Sequence, residues 1–419
     1  MSPPSRREFL RRLGAGGVAV AASGYTLRTW TWDGPAAAAA PRPGELADPS
    51  PGRTLVVVEL AGGNDGLNTV VPYADPAYAR LRPTLGVPNP IHLDDEIGLH
   101  PSLPKLAARY QAGHVAIVEG VGYSPPNLSH FESLATWWTA QRDSTVGWIG
   151  SYLDATVGYD DPLAAVAIGS QAAPALLGQQ SFATTIADAT GLQPRLPRWL
   201  DGDSLLATWG HFAPAHVDTS SLVGQVERAV RLTLRARAQL DEVLGSPAGP
   251  APSQNDAAAL RQTSVVQSLA VAAELIKSKV APRVVYITGV GDFDVHEGEA
   301  QRQPALLSDV DTGIDEFFSA LGPAADGVLL MTTSEFGRRP AENGSGTDHG
   351  TANAHFLVGP SVHGGRYGEP PSLTKLDDTN NPVPTVDFRT LYATGLAWLG
   401  ARDTAPVLNG QFQPLPVAT

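Results

Sequence analysis

Short apolar runs alternate with longer helical patterns along this chain of 419 residues, and that alternation limits the folds that it can adopt. The run 54–60 is rich in β-branched residues, which is typical of a strand buried on both faces. The runs 283–288 and 327–333 have the same character, and helical patterns stand between the three. Strands that alternate with helices predict βαβ units. We therefore expect an α/β fold, with a mostly parallel sheet covered by helices on both faces.

The remaining patterns complete one α/β domain over residues 54–419. The stretch 158–215 is mixed in pattern and rich in Pro, Gly and Ala, and we interpret it as a lid or an insertion. Further elements are predicted as helices at 103–111, 129–142, 220–244, 257–278, 306–321 and 388–399, and as strands at 114–119 and 355–358.

The N-terminus has the pattern of an export signal. A twin-arginine pair within residues 5–10 is followed by a short apolar stretch at 13–22 and by alanines at 36–40, which suit a signal peptidase. We interpret residues 1–40 as a twin-arginine (Tat) signal peptide and 41–53 as a linker, with an ordinary basic amphipathic N-terminus as the alternative. The Tat machinery is then a partner, and the expected location is the periplasm, the cell surface or the extracellular space.

Composition excludes several functional classes. The chain has no cysteine, which rules out disulfides, thiolate catalysis and cysteine-based metal sites. Its net charge of −13 argues against nucleic acid as a partner, because nucleic-acid binding needs a basic surface. No apolar run reaches the about 20 residues that span a bilayer, so no integral membrane span is expected in the mature protein. Asp, Glu, His and Ser or Thr must therefore carry any chemistry.

Acidic residues and histidines follow the predicted strands. In open α/β sheets, ligands bind beyond the carboxyl ends of the strands, so these side chains are expected at one rim of the sheet. Carboxylates and imidazoles are suitable ligands for divalent metal ions. The candidates are Asp65 after the first strand, Asp294 and His296 after the second, Glu335 after the third, and Asp348 and His349 in the loop beyond.

A set of motifs, in order from about residue 55 to 400, resembles the bacterial family called domain of unknown function 1501. That family is similar to the alkaline phosphatase and sulfatase superfamily. The resemblance implies an alkaline-phosphatase-like fold, a two-metal site and a Ser or Thr nucleophile that attacks a phosphate or sulfate ester. The motifs are 62–68, 99–103, 127–130, 147–150, 293–296, 333–338, 347–350 and 387–389.

The resemblance implies roles for individual residues. Asp65 corresponds to a ligand of one metal ion, Asp294 and His296 to ligands of the second, and Ser129 to the nucleophile at the N-terminus of a helix. His130 would assist as a ligand or an acid, or simply pack against the loop. Independently of the resemblance, Arg338 and Arg339 lie beside the cluster and could bind an ester anion, with a solvated loop or a buried pair with Glu335 or Asp387 as the alternative. Ser129 and Glu132 also fit a capping box, which would give Ser129 a purely structural role.

Two alignments of the last motifs remain open. In one, Asp348 and His349 form the superfamily's Asp-His pair, and His355 or His363 supplies the final histidine. In the other, the strand end 334–337 replaces that pair, Phe336 stands in a ligand's place, and His349 is the final histidine. The second alignment leaves one metal under-coordinated, so one or two divalent ions (Zn, Mn, Mg or Ca) are expected as cofactors.

The sequence thus favours an exported metal-dependent hydrolase of a phosphate or sulfate ester, with a small-molecule or glycan ester as substrate. A non-catalytic exported binding or assembly protein on the same scaffold is the alternative, and a metal-dependent isomerase or phosphate-transferring enzyme is a third hypothesis.

Overall fold

The fold is taken from a computed structural model of the chain. It describes residues 52–142, 144–156, 161–169, 173–186, 221–245 and 264–418, and short pieces at 20–22, 25–27, 46, 207–208 and 210–211. Apart from a short antiparallel strand pair, Val20–Ala22 with Tyr25–Leu27, the predicted signal peptide lies outside the described residues, as does most of the predicted linker.

The strands are β1 (Thr54–Leu60), β2 (Val70–Val71), β3 (Ile91–His92), β4 (Gly98–Leu99), β5 (Val115–Gly122), β6 (Ala165–Ile168), β7 (Thr184–Ile186), β8 (Val284–Val290), β9 (Val328–Thr333), β10 (Gly337–Glu342), β11 (Thr347–Gly350), β12 (Asn353–Val358), β13 (Gly365–Tyr367) and β14 (Val386–Asp387). The helices are α1 (Gly66–Thr69), α2 (Pro76–Leu81), α3 (Pro104–Gln111), α4 (His130–Thr139), α5 (Trp148–Thr156), α6 (Leu222–Leu244), α7 (Val265–Lys277), α8 (Glu299–Leu321), α9 (Arg389–Trp398) and α10 (Ala405–Leu408), with 3₁₀ turns at Pro174–Leu176 and Gly322–Gly327.

The central sheet has the strand order β13-β5-β12-β9-β1-β8-β6-β7, and β14 adds a short pairing to β5. Within the described part of the chain, β12 alone runs against its neighbours, and the other strands of this sheet are parallel to β1. β10 and β11 form a separate hairpin beyond the end of β9, and β2, β4 and β3 form a small sheet. The expected mostly parallel α/β sheet is confirmed.

Helices cover both faces of the sheet. Side chains of β1 alternate, so that Val56 and Val58 pack with α3, α7 and α8, whereas Leu55 and Val57 pack with α4, α5 and α9. All four side chains are fully buried, as expected for a central parallel strand. Since both faces are covered, the carboxyl ends of the strands are where the sheet can expose polar groups.

The stretch 158–215 differs from the expectation in part. β6 and β7 come from this stretch and are built into the central sheet, with β6 paired to β8. Both strands are short, and the Gly and Pro around them hid the pattern. A lid stays a prediction for the rest of the stretch, most of which lies outside the described residues.

None of the helices in the described ranges is long and apolar enough to cross a membrane.

Candidate metal centre

Three histidines converge on one carboxylate at the carboxyl edge of the sheet. Asp294 follows β8, His130 opens α4, and His349 lies on β11. The Nε2 atoms of His296 and His349 lie 2.9 and 3.1 Å from Asp294 Oδ1, and His130 Nε2 lies 3.3 Å from Asp294 Oδ2. His296 Nε2 and His349 Nε2 are also 3.1 Å apart. The chain thus brings three imidazole nitrogens to the two oxygens of one carboxylate, and His130, Asp294 and His349 form a group that could hold a metal ion.

The opposite ring nitrogens are held by acceptors. His349 Nδ1 donates to the carbonyl of Leu128 at 2.8 Å, and His130 Nδ1 donates to Glu335 Oε1 at 2.9 Å. A proton on Nδ1 leaves the lone pair of a neutral imidazole on Nε2, where it is directed at the shared carboxylate. Metal-binding histidines are oriented in the same way, with the second nitrogen donating to a carboxylate or a carbonyl.

The donor atoms fit a bound metal ion. Burial lowers the pKa of His349, which disfavours a second proton on its ring. A lone pair 3.1 Å from the Asp294 carboxylate is unfavourable unless a cation lies between them. Ligand atoms lie about 2.0–2.2 Å from zinc, so neighbouring ligands of one ion are about 3–3.5 Å apart, as they are here. His130, Asp294 and His349 together offer ligand atoms within 4.8 Å of one another.

Glu335 lies behind His130 instead of joining the ligand atoms. Its side chain is buried, and Oε1 accepts hydrogen bonds from His130 Nδ1 and from the backbone N–H of Gly62 at 2.8 Å. The hydrogen bond to Glu335 raises the pKa of His130. The expectation that Glu335 is a metal ligand is therefore replaced by a positioning role, for which a buried strand end is well suited.

Asp65 is engaged elsewhere. It is buried, forms an ion pair with Arg82 and caps α1 by accepting from the backbone N–H of Leu67 at 3.1 Å. Burial alone would raise the pKa of Asp65, but the Arg82 guanidinium outweighs it and the pKa is lowered. Asp65 does not belong to the cluster of ligand atoms found among the described residues. The predicted ligand is thus a structural ion-pair partner.

A neutral carboxyl accompanies that ion pair. Burial and the neighbouring Asp65 carboxylate raise the pKa of Glu299 to about 9, so that Glu299 is protonated at neutral pH. Its oxygens accept from Asn68 at 3.2 Å and from Thr347 at 2.8 Å. This network was not expected from the sequence, in which the only indication of it is the acidic residue Glu299 in the first turn of α8.

Arg338 forms its hydrogen bonds with groups inside the protein. Its side chain is 1% exposed and donates to the carbonyls of Gly63, Thr347 and Phe293 at 2.7, 2.9 and 3.0 Å. It also donates to Asp294 Oδ1 at 2.8 Å. Burial tends to raise the pKa of Asp294, but Arg338 lowers it to about 2. Arg338 therefore holds Asp294 in place as an anion, and the expected contact with an ester anion is not available to it.

The hydroxyl of Ser129 makes no hydrogen bond to any of the residues that the structure describes. It is the N-cap residue of α4, yet its side chain makes no capping hydrogen bond, so the capping box with Glu132 does not form. Ser129 is exposed, and its backbone N–H donates to Asn127 Oδ1 at 2.9 Å. Its two neighbours in the chain, Leu128 and His130, both contact the centre.

Phe336 forms the floor of the centre. Its buried ring lies 4.4 Å from the ring of His349 and 4.9 Å from that of His130, measured between centroids. Gly63 permits this position, because a Cβ there would come within 2.3 Å of the Phe336 ring. An aromatic ring thus occupies the place that the second alignment assigned to a ligand.

The structure places the candidate residues of the two alignments in different surroundings. His349 joins the centre, whereas Asp348 is half exposed, with Oδ1 at 3.6 Å from His296 Nδ1. His355 is buried against Trp137, and neither of its ring nitrogens has a hydrogen-bond partner within the described ranges. His363 is exposed and lies near the carbonyl of Pro416. Within the described residues, His349 thus lies beside Asp294, whereas His355 and His363 do not join the group of ligand atoms.

The sequence model of the family described as "Protein of unknown function (DUF1501)" matches residues 52–415. The chain belongs to the DUF1501 family. No curated protein matches it.

Several solved structures are similar to this DUF1501 protein at low identity, and one of them is described as a protein in the alkaline phosphatase superfamily. One is a protein of that superfamily from Vibrio parahaemolyticus, at 9% identity and a TM-score of 0.40, with 85% of this chain and 68% of that chain covered. Another is the C-terminal periplasmic domain of EptC from Escherichia coli in complex with Zn, at 11% identity and a TM-score of 0.38, with 90% and 92% covered. A third is the lipoteichoic acid synthase LtaP from Listeria monocytogenes, at 9% identity and a TM-score of 0.31, with 75% and 67% covered.

Replacing His355 in this DUF1501 protein is expected to increase its resistance to acid. Burial lowers the pKa of His355 to about 3, whereas an unfolded histidine titrates near its usual 6.5. Between these values the unfolded chain binds a proton that the folded chain does not, so stability falls as the pH falls below 6.5. His355→Phe removes that loss, which at pH 4.5 amounts to about 2–3 kcal/mol.

Urea unfolding at pH 7 and pH 4.5 measures this effect. His363→Phe, at an exposed position, is the matched control and keeps the wild-type pH dependence. Equal losses of stability in wild type and His355→Phe between the two pH values would contradict the prediction.

Proposed function

We propose that the protein is a metal-dependent hydrolase that cleaves a phosphate or sulfate ester at the centre formed by His130, Asp294, His296 and His349. The observation that carries this proposal is the convergence of three Nε2 atoms on the Asp294 carboxylate. Two of these imidazoles have Nδ1 fixed by Leu128 and Glu335. Metal-binding histidines are oriented in this way, with the second ring nitrogen donating to a carboxylate or a backbone carbonyl.

Histidine-rich donor sets favour some ions over others. Imidazole suits zinc and other transition metals, whereas magnesium and calcium prefer oxygen ligands. Of the ions expected from the sequence, zinc therefore fits best, and the single cluster of ligand atoms among the described residues favours one ion per chain. When bound, such an ion would offset the charge of an anionic ester and lower the pKa of an adjacent hydroxyl.

Ser129 is the proposed nucleophile. Its hydroxyl makes no capping hydrogen bond and stands at the N-terminal end of α4, where the helix dipole favours an anion. Attack by Ser129 Oγ on phosphorus or sulfur would break the bond to the leaving alcohol, which takes up a proton. Water would then hydrolyse the serine ester and release phosphate or sulfate. The ring centroids of His130, His349 and Phe336 lie 4.4–4.9 Å from one another, and together these rings would border the ester.

Export is part of the proposal. The twin-arginine pair, the short apolar stretch and the alanines within residues 1–40 support transport by the Tat machinery to the periplasm, the cell surface or the extracellular space.

One observation favours a second function. Arg338 is used internally, so it provides no cation for an ester anion. A non-catalytic exported protein that binds a ligand through its metal ion would need no such cation.

Metal content and ester hydrolysis test the proposal together. The full chain, purified without chelator, is expected to hold about one ion, and His349→Ala is expected to hold almost none. His363→Ala, an exposed histidine away from the centre, is the control. On a panel of phosphate and sulfate esters, Ser129→Ala should lose at least about a hundredfold in kcat while it retains the ion. Metal binding without any ester hydrolysis would support the second function. Absence of metal after reconstitution would contradict both the hydrolase and the metal-dependent binding function.

Glu335→Gln is expected to weaken metal binding by about 10–100-fold, because the carboxylate that orients His130 and increases its basicity is removed. Competition with a chelator measures the affinity. Glu342→Gln, on β10 and bonded to Thr84, is the control. An unchanged affinity in Glu335→Gln would show that His130 needs no orienting partner.

A further inference from the structure

A cavity lies at the edge of the central sheet opposite the metal centre. Its volume is about 480 Å³, which is within the range of small-molecule sites. Four of its lining residues stand where parallel strands begin, Thr54 on β1, Ala164 before β6, Arg283 before β8 and Val328 on β9. The metal centre lies beyond the carboxyl ends of these strands, so a molecule in the cavity would be separated from it by the length of the sheet.

Arg283 brings a charge without a counter-charge to this cavity. It is half-buried and forms no ion pair with any residue that the structure describes. Its guanidinium lies near the buried hydroxyl of Tyr152, where it opposes the rise that burial causes in the pKa of that hydroxyl. A hydroxyl helps to fix a guanidinium in place but does not neutralise it. Since a guanidinium pairs with a carboxylate through two parallel N–H donors, Arg283 is suited to hold a carboxylate.

Asp161 supplies the opposite charge to the same cavity. Its side chain is exposed and accepts a hydrogen bond from the backbone N–H of Leu163 at 3.1 Å. Within the described ranges it forms no ion pair, and it is not paired with Arg283. A simple anion in the cavity would be attracted by Arg283 and repelled by Asp161, and a simple cation would meet the reverse. A ligand that carries both charges satisfies both residues.

The rest of the lining is largely apolar. Ile276 on α7 and Pro323 and Ala324 in the 3₁₀ turn add aliphatic surface. Arg53 also lines the cavity, and its guanidinium lies 4.4 Å from the centre of the Trp398 ring and donates to the carbonyl of Trp398 at 3.1 Å. Two opposite charges beside aliphatic surface suit a small molecule with a charged end of each sign and an aliphatic body.

We propose that this cavity binds a free α-amino acid with an aliphatic side chain, with its carboxylate on Arg283 and its ammonium group on Asp161. The site is separate from the metal centre and does not depend on the hydrolase function. Because the ligand would bind where four central strands begin, it would stabilise the folded chain in proportion to its occupancy of the cavity. A phosphate or a dicarboxylate fits less well, since either would place a second anion against Asp161.

Three probes with one carbon skeleton test the proposal on the full chain. Leucine carries both charges, 4-methylpentanoate lacks the ammonium group, and 3-methylbutylamine lacks the carboxylate. Titration calorimetry is expected to show that leucine binds at least about tenfold more tightly than either analogue, because each analogue loses the hydrogen bonds to one charged group. If leucine does not bind, or binds no better than one of the analogues, the proposal is wrong.

Variants locate the binding. Asp161→Asn is expected to bind leucine and 4-methylpentanoate equally well, and Arg283→Met to lose at least about tenfold of its affinity for leucine. Arg283→Lys keeps a charge beside Tyr152 and should retain part of that affinity, and urea unfolding checks that each variant is folded. Arg302→Met, a surface change elsewhere, is the control. An unchanged affinity for leucine in folded Arg283→Met would overturn the proposal.

His349→Ala separates this inference from the hydrolase proposal. The variant changes the metal centre at the other edge of the sheet and is expected to bind leucine as wild type does. Leucine binding that is retained in His349→Ala and lost in Arg283→Met would support the cavity even if no ester is hydrolysed. Loss of leucine binding in folded His349→Ala would instead place the amino acid at the metal centre and refute the proposal.

Discussion

Asp294→Asn is expected to remove the metal ion and, with it, at least about a thousandfold of ester hydrolysis. The Asp294 carboxylate faces all three Nε2 atoms of the centre and is the anion among them. An amide in its place keeps the shape but loses the charge that attracts a divalent ion. The variant also leaves the guanidinium of Arg338 buried without its carboxylate partner, which costs about 1–3 kcal/mol of folding stability.

Elemental analysis, turnover and urea unfolding of the same sample measure the three effects of Asp294→Asn. Asp292→Asn provides a close control, because Asp292 is two residues away and pairs on the surface with Arg302. The control is expected to keep its ion, its turnover and its stability within about 0.5 kcal/mol. Retention of a full equivalent of metal in Asp294→Asn would contradict the assignment of the centre.

Arg82→Met is expected to destabilise the fold by about 3–5 kcal/mol, the typical cost of leaving one member of a buried ion pair alone. Asp65 would lose its counter-charge, and Glu299 beside it is neutral and cannot replace that charge. Arg82 also donates to the carbonyls of Arg339 and Pro340 at 2.9 and 3.0 Å, so β10 would lose its attachment to α2.

The free energy of unfolding in urea measures this change. Arg302→Met, which removes an exposed ion pair, should cost less than about 1 kcal/mol. Adding Asp65→Asn to Arg82→Met should recover part of the loss, because the unpaired charge is removed while the cap of α1 keeps an oxygen. The double variant is also expected to bind metal, since Asp65 is a structural residue. Loss of metal from a folded double variant would show that Asp65 contributes to the metal centre.

Much of the fold follows from periodicity. β1 has the bounds that its β-branched run predicts, and β8 and β9 lie within a residue or two of theirs, because buried central strands have a strong local signal. β12 was expected only as a strand, and its reversed direction depends on its pairing with β5 and β9, which no local pattern encodes. β6 and β7 are too short for their pattern to stand out from the Gly and Pro around them.

The cluster around Asp294 could be anticipated to the level of residue type and strand end, and no further. Asp294, His296 and His349 were candidates because they follow predicted strands, and His130 was a candidate through the family resemblance. The sequence did not reveal the partners that Asp65 and Arg338 have in the structure, since Arg82 lies 17 residues from Asp65 and the carbonyl of Gly63 lies 275 residues from Arg338. The role of each side chain here depends on which groups it forms hydrogen bonds with. Those partners are determined by the tertiary structure and not by the local sequence.

The ligand atoms of the centre come from distant parts of the sequence, His130 from α4, Asp294 from beyond β8 and His349 from the hairpin. The unfolded chain therefore has no such centre. The metal ion that binds is then one that is available in the compartment in which the chain folds. If the Tat signal operates, folding is complete before transport, and the cytoplasm's metal supply decides which ion is carried out. The same sequence sent unfolded across the membrane would instead take whichever ion is most available outside.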